Sequence, residues 1–236
     1  MTTTDVRDLG TILCVWAHPD DETYLSAGIM AQAVRNGQRV VCVTATRGEA
    51  GSQDEQRWPL DRLAEIRTAE LAEALSILGV SEHRWLDYPD GGCVDVPADE
   101  ATARIAAVID EVRPDTVLTF GPDGQTGHPD HIALCHWTTT AVDGSDPAAS
   151  LYYATVTPEW WAGPGLALEP FDVWFAGKPA ITPAEDLAIN FLPDDELMDL
   201  KFRAIAAQVS QSESLLAAIG KEFFFEFARA ETYRGP

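Results

Sequence analysis

The segment ILCVWAHPDDE, residues 12–22, passes from an apolar run into a turn that carries one histidine and three carboxylates. A short apolar run of this kind is typical of a buried strand. Residues 25–34 then repeat apolar side chains at helical spacing, which predicts a helix. The polar turn therefore lies where a strand ends and a helix begins, and ligands bind at that end of the strands in an open α/β sheet.

A second polar cluster, GHPDH at residues 127–131, stands in the same context. It follows the apolar run TVLTF at residues 116–120 and precedes a helical pattern over residues 132–142. Three of the five histidines of the chain fall in the two clusters. Because the carboxyl ends of parallel strands meet at one edge of a sheet, we expect the two clusters to lie around one metal ion.

Strand and helix patterns alternate through residue 142, and this alternation predicts the fold class. The expected fold is α/β, a Rossmann-like three-layer sandwich with a mostly parallel sheet and right-handed crossovers. Strands are predicted at residues 11–16, 39–46, 83–86 and 116–120, with helices at 25–36, 61–78, 99–112 and 132–142.

The region after residue 142 is less regular. Its patterns predict strands at 151–156, 171–175 and 188–191, a long helix at 194–219 and an aromatic-rich edge strand at 223–233. No repeat or linker composition divides the sequence. We therefore expect a single domain over residues 1–236, in which residues 1–142 form the core with both motifs and residues 143–236 form an elaboration that shapes the substrate pocket.

Composition limits the classes of function. Of 236 residues, 38 are Asp or Glu and 16 are Lys or Arg, for a formal net charge of −22. Such a charge repels nucleic acid and anionic lipid, so neither is an expected partner. The first ten residues lack the apolar core of a secretory leader, and the four cysteines have no paired spacing. We expect a reduced, cytoplasmic protein without disulfides, and the sequence leaves open whether it forms a homo-oligomer.

The first candidate chemistry is metal binding. A hydrolytic metal ion typically takes three protein ligands and leaves one position for water. His18, Asp21 and His131 would supply such a set, and these ligand types suit Zn²⁺, although another divalent transition metal would also be accepted. Zinc lowers the pKa of a bound water to about 7 and polarises a carbonyl. Taken alone, the aspartates of the first cluster are also compatible with a helix-entry role, because carboxylates stabilise a helix N-terminus.

The remaining residues of the clusters suggest acid–base roles. Asp20 stands next to a candidate ligand and is the candidate general base for the attacking water. His128 would stabilise an oxyanion or protonate a leaving amine. Asp130 would hold the other nitrogen of that imidazole.

The pairing of AHPDDE at 17–22 with GHPDH at 127–131 resembles the zinc-dependent de-N-acetylases of the PIG-L/LmbE-like superfamily. The resemblance runs from about residue 12 to 142 and includes TRGE at 46–49 and RTAEL at 67–71. It implies a hydrolase that removes an acetyl group from the amide nitrogen of an amino-sugar conjugate. Members act on N-acetylglucosaminyl lipids, on precursors of mycothiol and bacillithiol, and on antibiotic precursors.

The resemblance also implies residue roles. It repeats the metal ligands and the general base named above, and it adds Arg67, Glu49 and Thr126 as substrate contacts. Two of them have an alternative: Arg67 as a surface helix residue, and Glu49 as a support for its loop. Thr126 stands where mycothiol-type members have a hydroxyl-bearing aromatic residue, so it reaches less far.

Two other functions remain open on the sequence. One is a zinc amidase that acts on a thiol conjugate or another non-sugar amide, and the other is an inactive relative that only binds. The C-terminal third has no motif that decides between them. Its aromatic residues are compatible either with a stacking wall for a sugar or aglycone or with an ordinary core; they are Trp160, Trp161, Phe171 and Trp174.

Overall fold

The computed structural model describes residues 2–171 and 173–236. Within them one sheet holds seven strands: β1 (Ile12–Trp16), β2 (Val40–Thr46), β3 (Glu82–Tyr88), β4 (Thr116–Phe120), β5 (Ser150–Ala154), β6 (Ile189–Phe191) and β7 (Glu231–Arg234). Their order in space is β3-β2-β1-β4-β5-β7-β6. The first five strands pair in parallel, and β7 runs antiparallel to both β5 and β6.

The helices pack in two groups. In the same described residues they are α1 (Asp21–Leu25), α2 (Ala27–Arg35), α3 (Leu60–Leu78), α4 (Ala98–Val112), α5 (Pro129–Asp143), α6 (Pro158–Trp160), α7 (Asp195–Ala207) and α8 (Val209–Ala228). Helices α2 and α3 pack with α7, whereas α4 packs with α5. The chain crosses the sheet in one direction from β1 to β3 and in the other direction from β3 to β5. Because both sets of crossovers are right-handed, their helices lie on opposite faces of the sheet, which confirms the predicted α/β fold. No helix in the described part of the chain is long and apolar enough to cross a membrane.

Strands β1, β2 and β4 form the centre of the core. Every residue in them is buried. Parallel strands covered on both faces read as continuous apolar runs. That is why their predicted bounds agree with the structure to within one residue.

The order of the strands brings the two motifs together. From β1 the chain moves outward through β2 to β3, and then crosses back to place β4 on the other side of β1. The first motif follows β1 and the second follows β4. The motifs therefore flank the point where the strand order reverses, which is where open α/β sheets form a ligand crevice.

Four predictions for the C-terminal region are wrong. The single helix predicted at 194–219 is broken at Gln208, where α7 ends and α8 begins. The strand predicted at 171–175 does not form in the residues described there, because residue 171 ends a 3₁₀ turn and residues 173–175 are irregular; residue 172 lies outside the described residues. Helix α8 is kinked at Gly220 (φ 72°, ψ 164°), close to the predicted helix end, but residues 223–228 beyond the kink are helical where a strand was predicted. Phe224 and Ala228 pack against α7 at helical spacing, and this contact overrides the β propensity of the aromatic residues. The short β7 that remains lies between β5 and β6 and is not an edge strand.

A buried ion pair fastens β7 to the helices. Lys201 Nζ donates to Glu231 Oε1 at 2.7 Å and to the backbone oxygen of Tyr24 at 2.9 Å. The Glu231 carboxylate also accepts the backbone N–H groups of Gly28 and Ile29 at the start of α2. Both charged side chains are completely buried. Both carboxylate oxygens and two of the three ammonium donors are therefore hydrogen-bonded, and such bonds are what make a buried pair tolerable.

We expect Lys201→Met to lower the free energy of unfolding by about 3–5 kcal/mol, because the Glu231 carboxylate would stay buried without its cation. The matched control is Lys221→Met, which removes an exposed pair with Asp199 and should cost less than about 1 kcal/mol. Urea denaturation of both variants measures the difference. Equal, small losses in the two variants would contradict the proposed contribution of the buried pair.

His83 on β3 makes stability depend on pH. Burial, together with the positive charges of Arg47 and Arg84, lowers the pKa of His83 from 6.5 to about 4. Between those values the unfolded chain binds more protons than the folded chain, so stability rises with pH. The contribution is complete above the unfolded pKa and is lost as pH falls toward the folded pKa.

We expect His83→Gln to reduce the loss of unfolding free energy between about pH 7.5 and about pH 5 by about 1–2 kcal/mol. The measurement is urea denaturation at both pH values. The exposed His136, replaced by Gln, is the control and should keep the wild-type dependence. The assignment fails if His83→Gln shows the wild-type dependence as well.

Candidate metal centre

A cavity of about 540 Å³ opens beside both motifs. Among the predicted site residues, those that line it are His18, Asp20, Asp21, Arg67, Thr126, His128 and His131. Glu49 and Asp130 do not line it. The volume lies in the range of about 300–1,000 Å³ that is usual for small-molecule sites.

The turn after β1 has a strained backbone at Asp20. Its φ is 124° and its ψ is −32°, a combination that residues with a side chain rarely adopt. Glu22 braces this turn, because its carboxylate accepts the Asp20 N–H at 3.0 Å and the Gln208 side-chain amide at 2.8 Å. Strain of this kind persists only where the surroundings hold it. Burial raises the pKa of Glu22 to about 8.

Three side chains from the two motifs converge at one point. His18 Nδ1 lies 3.1 Å from His131 Nε2. The Asp21 carboxylate lies 3.4 Å from His131 Nε2 and 3.6 Å from His18 Nδ1. Ligands of a tetrahedral zinc ion at about 2.0–2.1 Å lie about 3.3 Å from one another. The three groups therefore have the separation that a tetrahedral metal requires.

The hydrogen bonds on the far side of each ring decide which nitrogen is free. His18 Nε2 lies 3.2 Å from Asp130 and 3.1 Å from Asp90, and two carboxylates place the proton on that nitrogen. His131 Nδ1 donates to the backbone oxygen of Gly124 at 2.9 Å. The free lone pairs of both rings therefore point at the same space. Such an arrangement is repulsive unless a cation or a proton lies between the rings, so the donor set fits a divalent metal.

The charges around this point agree with that geometry. Burial lowers the pKa of His18, but hydrogen bonds to Asp130, Asp21 and Asp90 outweigh it and raise the pKa well above its ordinary value. A metal that binds here therefore displaces a proton. Burial likewise works against the charge on Asp21, yet His131 and His18 hold its pKa well below the ordinary value.

Two other groups of side chains also have close ligand atoms. Nitrogens of His18, His128 and His131 lie within 4.8 Å of one another, as do atoms of His18, Asp90 and Asp130. Asp90 and Asp130 bond the protonated nitrogen of His18, which a metal cannot use. The set with Asp21 uses the two free ring nitrogens, and its three groups lie within 3.6 Å of one another.

Asp20 lies beside this set, with its side chain in the cavity. Burial raises the pKa of Asp20 to about 7, and the neighbouring Asp21 charge adds to the rise. The Arg67 guanidinium opposes it from 3.4 Å. A carboxyl group with a pKa near neutrality is well matched to taking and returning a proton.

His128 caps helix α5. Its Nδ1 accepts the backbone N–H of Asp130 at 3.2 Å, which leaves the proton of the neutral ring on Nε2. Burial, followed by the neighbouring His18, lowers the pKa of His128. The ring lies against Phe175 at the edge of the cavity, with a centroid distance of 4.9 Å. It is therefore set up as a neutral hydrogen-bond donor.

The predicted role of Asp130 needs correction. Its carboxylate was expected to hold His128, but it lies on His18 instead. It also accepts the backbone N–H groups of Gly91 at 2.8 Å and Cys93 at 3.1 Å. The cause is its position in the first turn of α5, which directs the buried carboxylate across the sheet edge to the loop after β3.

Asp90 was missed in the sequence. Its Oδ2 accepts the Ala50 N–H at 2.8 Å, and its own N–H donates to Glu49 at 3.0 Å. Glu49 thus supports this loop and does not face the cavity, contrary to its predicted substrate contact. The signal for Asp90 was present, since an aspartate followed by two glycines stands after the predicted third strand at the same sheet edge.

Arg67 is not a surface residue. It is 4% exposed, and its guanidinium donates to the backbone oxygens of Gly48 and Pro19 besides facing Asp20. It joins the loop after β2 to the turn after β1. Thr126 lines the cavity, with its hydroxyl 3.3 Å from His131 Nδ1.

Comparison with known proteins identifies relatives. The family model described as PIG-L, GlcNAc-PI de-N-acetylase, matches residues 13–142. A 1D-myo-inositol 2-acetamido-2-deoxy-alpha-D-glucopyranoside deacetylase of Rhodococcus erythropolis is 34% identical, over 90% of this chain and 84% of its own. A deacetylase of the same name from Rhodococcus jostii is 38% identical, over 85% of this chain and 81% of its own.

A solved structure agrees at the level of the fold. The N,N'-diacetylchitobiose deacetylase from Pyrococcus horikoshii has a TM-score of 0.62 at 23% identity and covers 97% of this chain and 84% of its own.

Proposed function

The chain belongs to the PIG-L family of metal-dependent de-N-acetylases, and from that premise we propose that it removes the acetyl group from the amide nitrogen of an N-acetylated amino-sugar conjugate. One observation carries the proposal. His18 Nδ1, His131 Nε2 and the Asp21 carboxylate converge within 3.6 Å of one another, beside Asp20 in a cavity.

In this proposal His18, Asp21 and His131 hold a divalent metal, and Zn²⁺ is the ion that best suits two imidazoles and one carboxylate. Such an ion supplies Lewis acidity toward the amide carbonyl and an acidic water. Asp90 and Asp130 fix the tautomer and orientation of His18. The backbone oxygen of Gly124 does the same for His131.

Asp20 moves the proton. It accepts a proton from the attacking water at its carboxylate and returns it to the amide nitrogen as the bond to the acyl carbon breaks. Arg67 keeps the carboxylate in place through its contact at 3.4 Å. The brace from Glu22 to the Asp20 N–H holds the strained backbone that aims this side chain into the cavity.

His128 stabilises charge on the substrate. Because its Nδ1 is occupied by the Asp130 N–H, the Nε2–H is free to donate to the oxygen that becomes negative during attack. This arrangement favours the oxyanion role of His128 over that of the acid.

The single sheet also supports a one-domain protein, since β7 near the C-terminus pairs with β5.

The proposal is tested by a screen of N-acetylated amino sugars and their glycosides for amine release, with metal content measured on the same sample. We expect release of a primary amine and acetate, about one metal ion per chain, and loss of activity after chelation that zinc restores. A metal-loaded protein that releases no amine from any amino-sugar conjugate would refute the proposed function.

A further inference from the structure

Four aromatic side chains line one side of the cavity: Tyr24, Trp160, Trp174 and Phe227. We call them the aromatic wall. Ring centroids lie 6.0 Å apart for Tyr24 and Phe227, 5.9 Å for Phe227 and Trp160, and 6.1 Å for Trp160 and Trp174. The rings therefore form a continuous surface that joins the turn after β1 to the C-terminal region.

The polar atoms of the two indoles are already engaged. Trp160 Nε1 donates to the backbone oxygen of Phe227 at 2.8 Å, and Trp174 Nε1 donates to that of Gly165 at 3.2 Å. All four rings are only partly buried. The wall thus offers ring faces and edges to the cavity, which favour contact with an apolar or aromatic group.

Another part of the lining is polar. It is made by the loop after β2 and the start of α8, with the residues Gly51, Ser52, Gln53 and Gln211. The Ser52 hydroxyl and the Gln53 and Gln211 amides already donate to backbone oxygens, which fixes them in place, and their oxygens can still accept hydrogen bonds from the hydroxyl groups of a sugar. The cavity is therefore lined for an amphiphilic ligand, with one polar and one apolar part.

The position of Asp20 tells which part of the substrate faces the wall. In the proposed reaction Asp20 returns a proton to the amide nitrogen, so the sugar that carries this nitrogen lies on the Asp20 side. The acyl carbon lies toward His128. The Tyr24 end of the wall lies on the Asp20 side, because Tyr24 follows Asp20 by four residues at the start of α1, a spacing that puts both on one face of the helix, and both side chains line the cavity. At its Tyr24 end the wall therefore faces a substituent of the sugar, on the side of the amide nitrogen.

We infer that the substrate is an N-acetylated amino sugar whose glycosidic substituent is apolar and large enough to stack on the aromatic wall. The inference rests on the proposed function and narrows its substrate class.

The test compares three compounds on the metal-loaded wild-type protein, with amine release as the readout. They are the methyl glycoside of N-acetylglucosamine, its 4-methylumbelliferyl glycoside, and methyl N-octanoylglucosaminide. We expect kcat/KM for the umbelliferyl glycoside to exceed that for the methyl glycoside at least about tenfold, mostly through KM. The N-octanoyl compound should show no such gain.

A variant locates the effect. Phe227→Leu should reduce the ratio of kcat/KM between the umbelliferyl and methyl glycosides about threefold to tenfold. The matched control is Phe225→Leu, two residues away on α8, where the ring packs against Phe202 and Phe224 outside the cavity lining. Phe225→Leu should keep the wild-type ratio.

The outcomes are distinguishable. Equal kcat/KM for the two N-acetyl glycosides on the wild-type protein would overturn the inference and leave the proposed function standing. A gain that follows the N-octanoyl chain would overturn it too, because the wall would then bind the acyl group. Absence of amine release from all three compounds and from the wider screen would refute the proposed function together with the inference.

Discussion

Asp20→Asn should retain its metal and lose at least about 100-fold in kcat, the usual scale for removal of a general base. Asparagine keeps the size of the side chain, but its amide does not accept the proton that the reaction must move. It also tolerates positive φ better than most residues, so the backbone at φ 124° is disturbed little. The expected loss therefore reports proton transfer and not a collapsed turn.

The measurement pairs steady-state kinetics with metal analysis. Asp20→Ala should show a similar loss in rate, although it adds backbone strain. The exposed Asp95, replaced by Asn, makes the same change in charge away from the cavity and should behave as wild type. Turnover near the wild-type rate in Asp20→Asn, with metal bound, would remove Asp20 from the role of base.

His131→Ala should lose the metal. It removes the Nε2 atom that lies 3.1 Å from His18 Nδ1 and 3.4 Å from Asp21, so only two of the three proposed ligands remain. A residue that merely orients a ligand costs about 10–100-fold in metal affinity. We expect a ligand to cost more than that, with zinc content falling to near zero after dialysis.

The control lies on the same helix. His136 is exposed on α5, and His136→Ala should keep both metal and activity. Because His131 also stacks on Phe120 at a centroid distance of 4.0 Å, the free energy of unfolding of both variants should be compared in the metal-free state. Full metal occupancy in a folded His131→Ala protein would disprove ligation by this residue.

Much of the fold was predictable because its central strands are recognisable from their continuous apolar sequences alone. A strand buried on both faces has to be apolar throughout, and β1, β2 and β4 follow this rule. Polar clusters directly after β1 and β4 could then be placed at one edge of the sheet. The convergence of His18, Asp21 and His131 follows from that placement, since short turns leave each side chain close to the end of its strand.

The parts that sequence reasoning missed depend on contacts between distant segments. Asp130 accepts hydrogen bonds from the loop after β3. Its closeness in sequence to His128 suggested that the two side chains contact each other, and nothing in the sequence indicates that they contact different partners. No local sequence feature distinguishes Gln208, yet its amide donates to Glu22, which braces the turn after β1 that carries Asp20. The helical conformation of residues 223–228 likewise follows from packing against α7, which a local pattern of aromatic residues does not contain.

Because of Gln208, the C-terminal third cannot be exchanged without affecting the turn after β1. It lies at the break between α7 and α8, far along the chain from both motifs, and its side chain reaches Glu22 and Thr23 in the turn that carries Asp20. The second of these helices, α8, also supplies Phe227 to the cavity. A chimera could exchange the C-terminal third with that of a relative in order to change which substrate is accepted. It would also replace Gln208, which braces the turn that carries Asp20. Such an exchange is therefore expected to change substrate choice and catalytic rate at the same time.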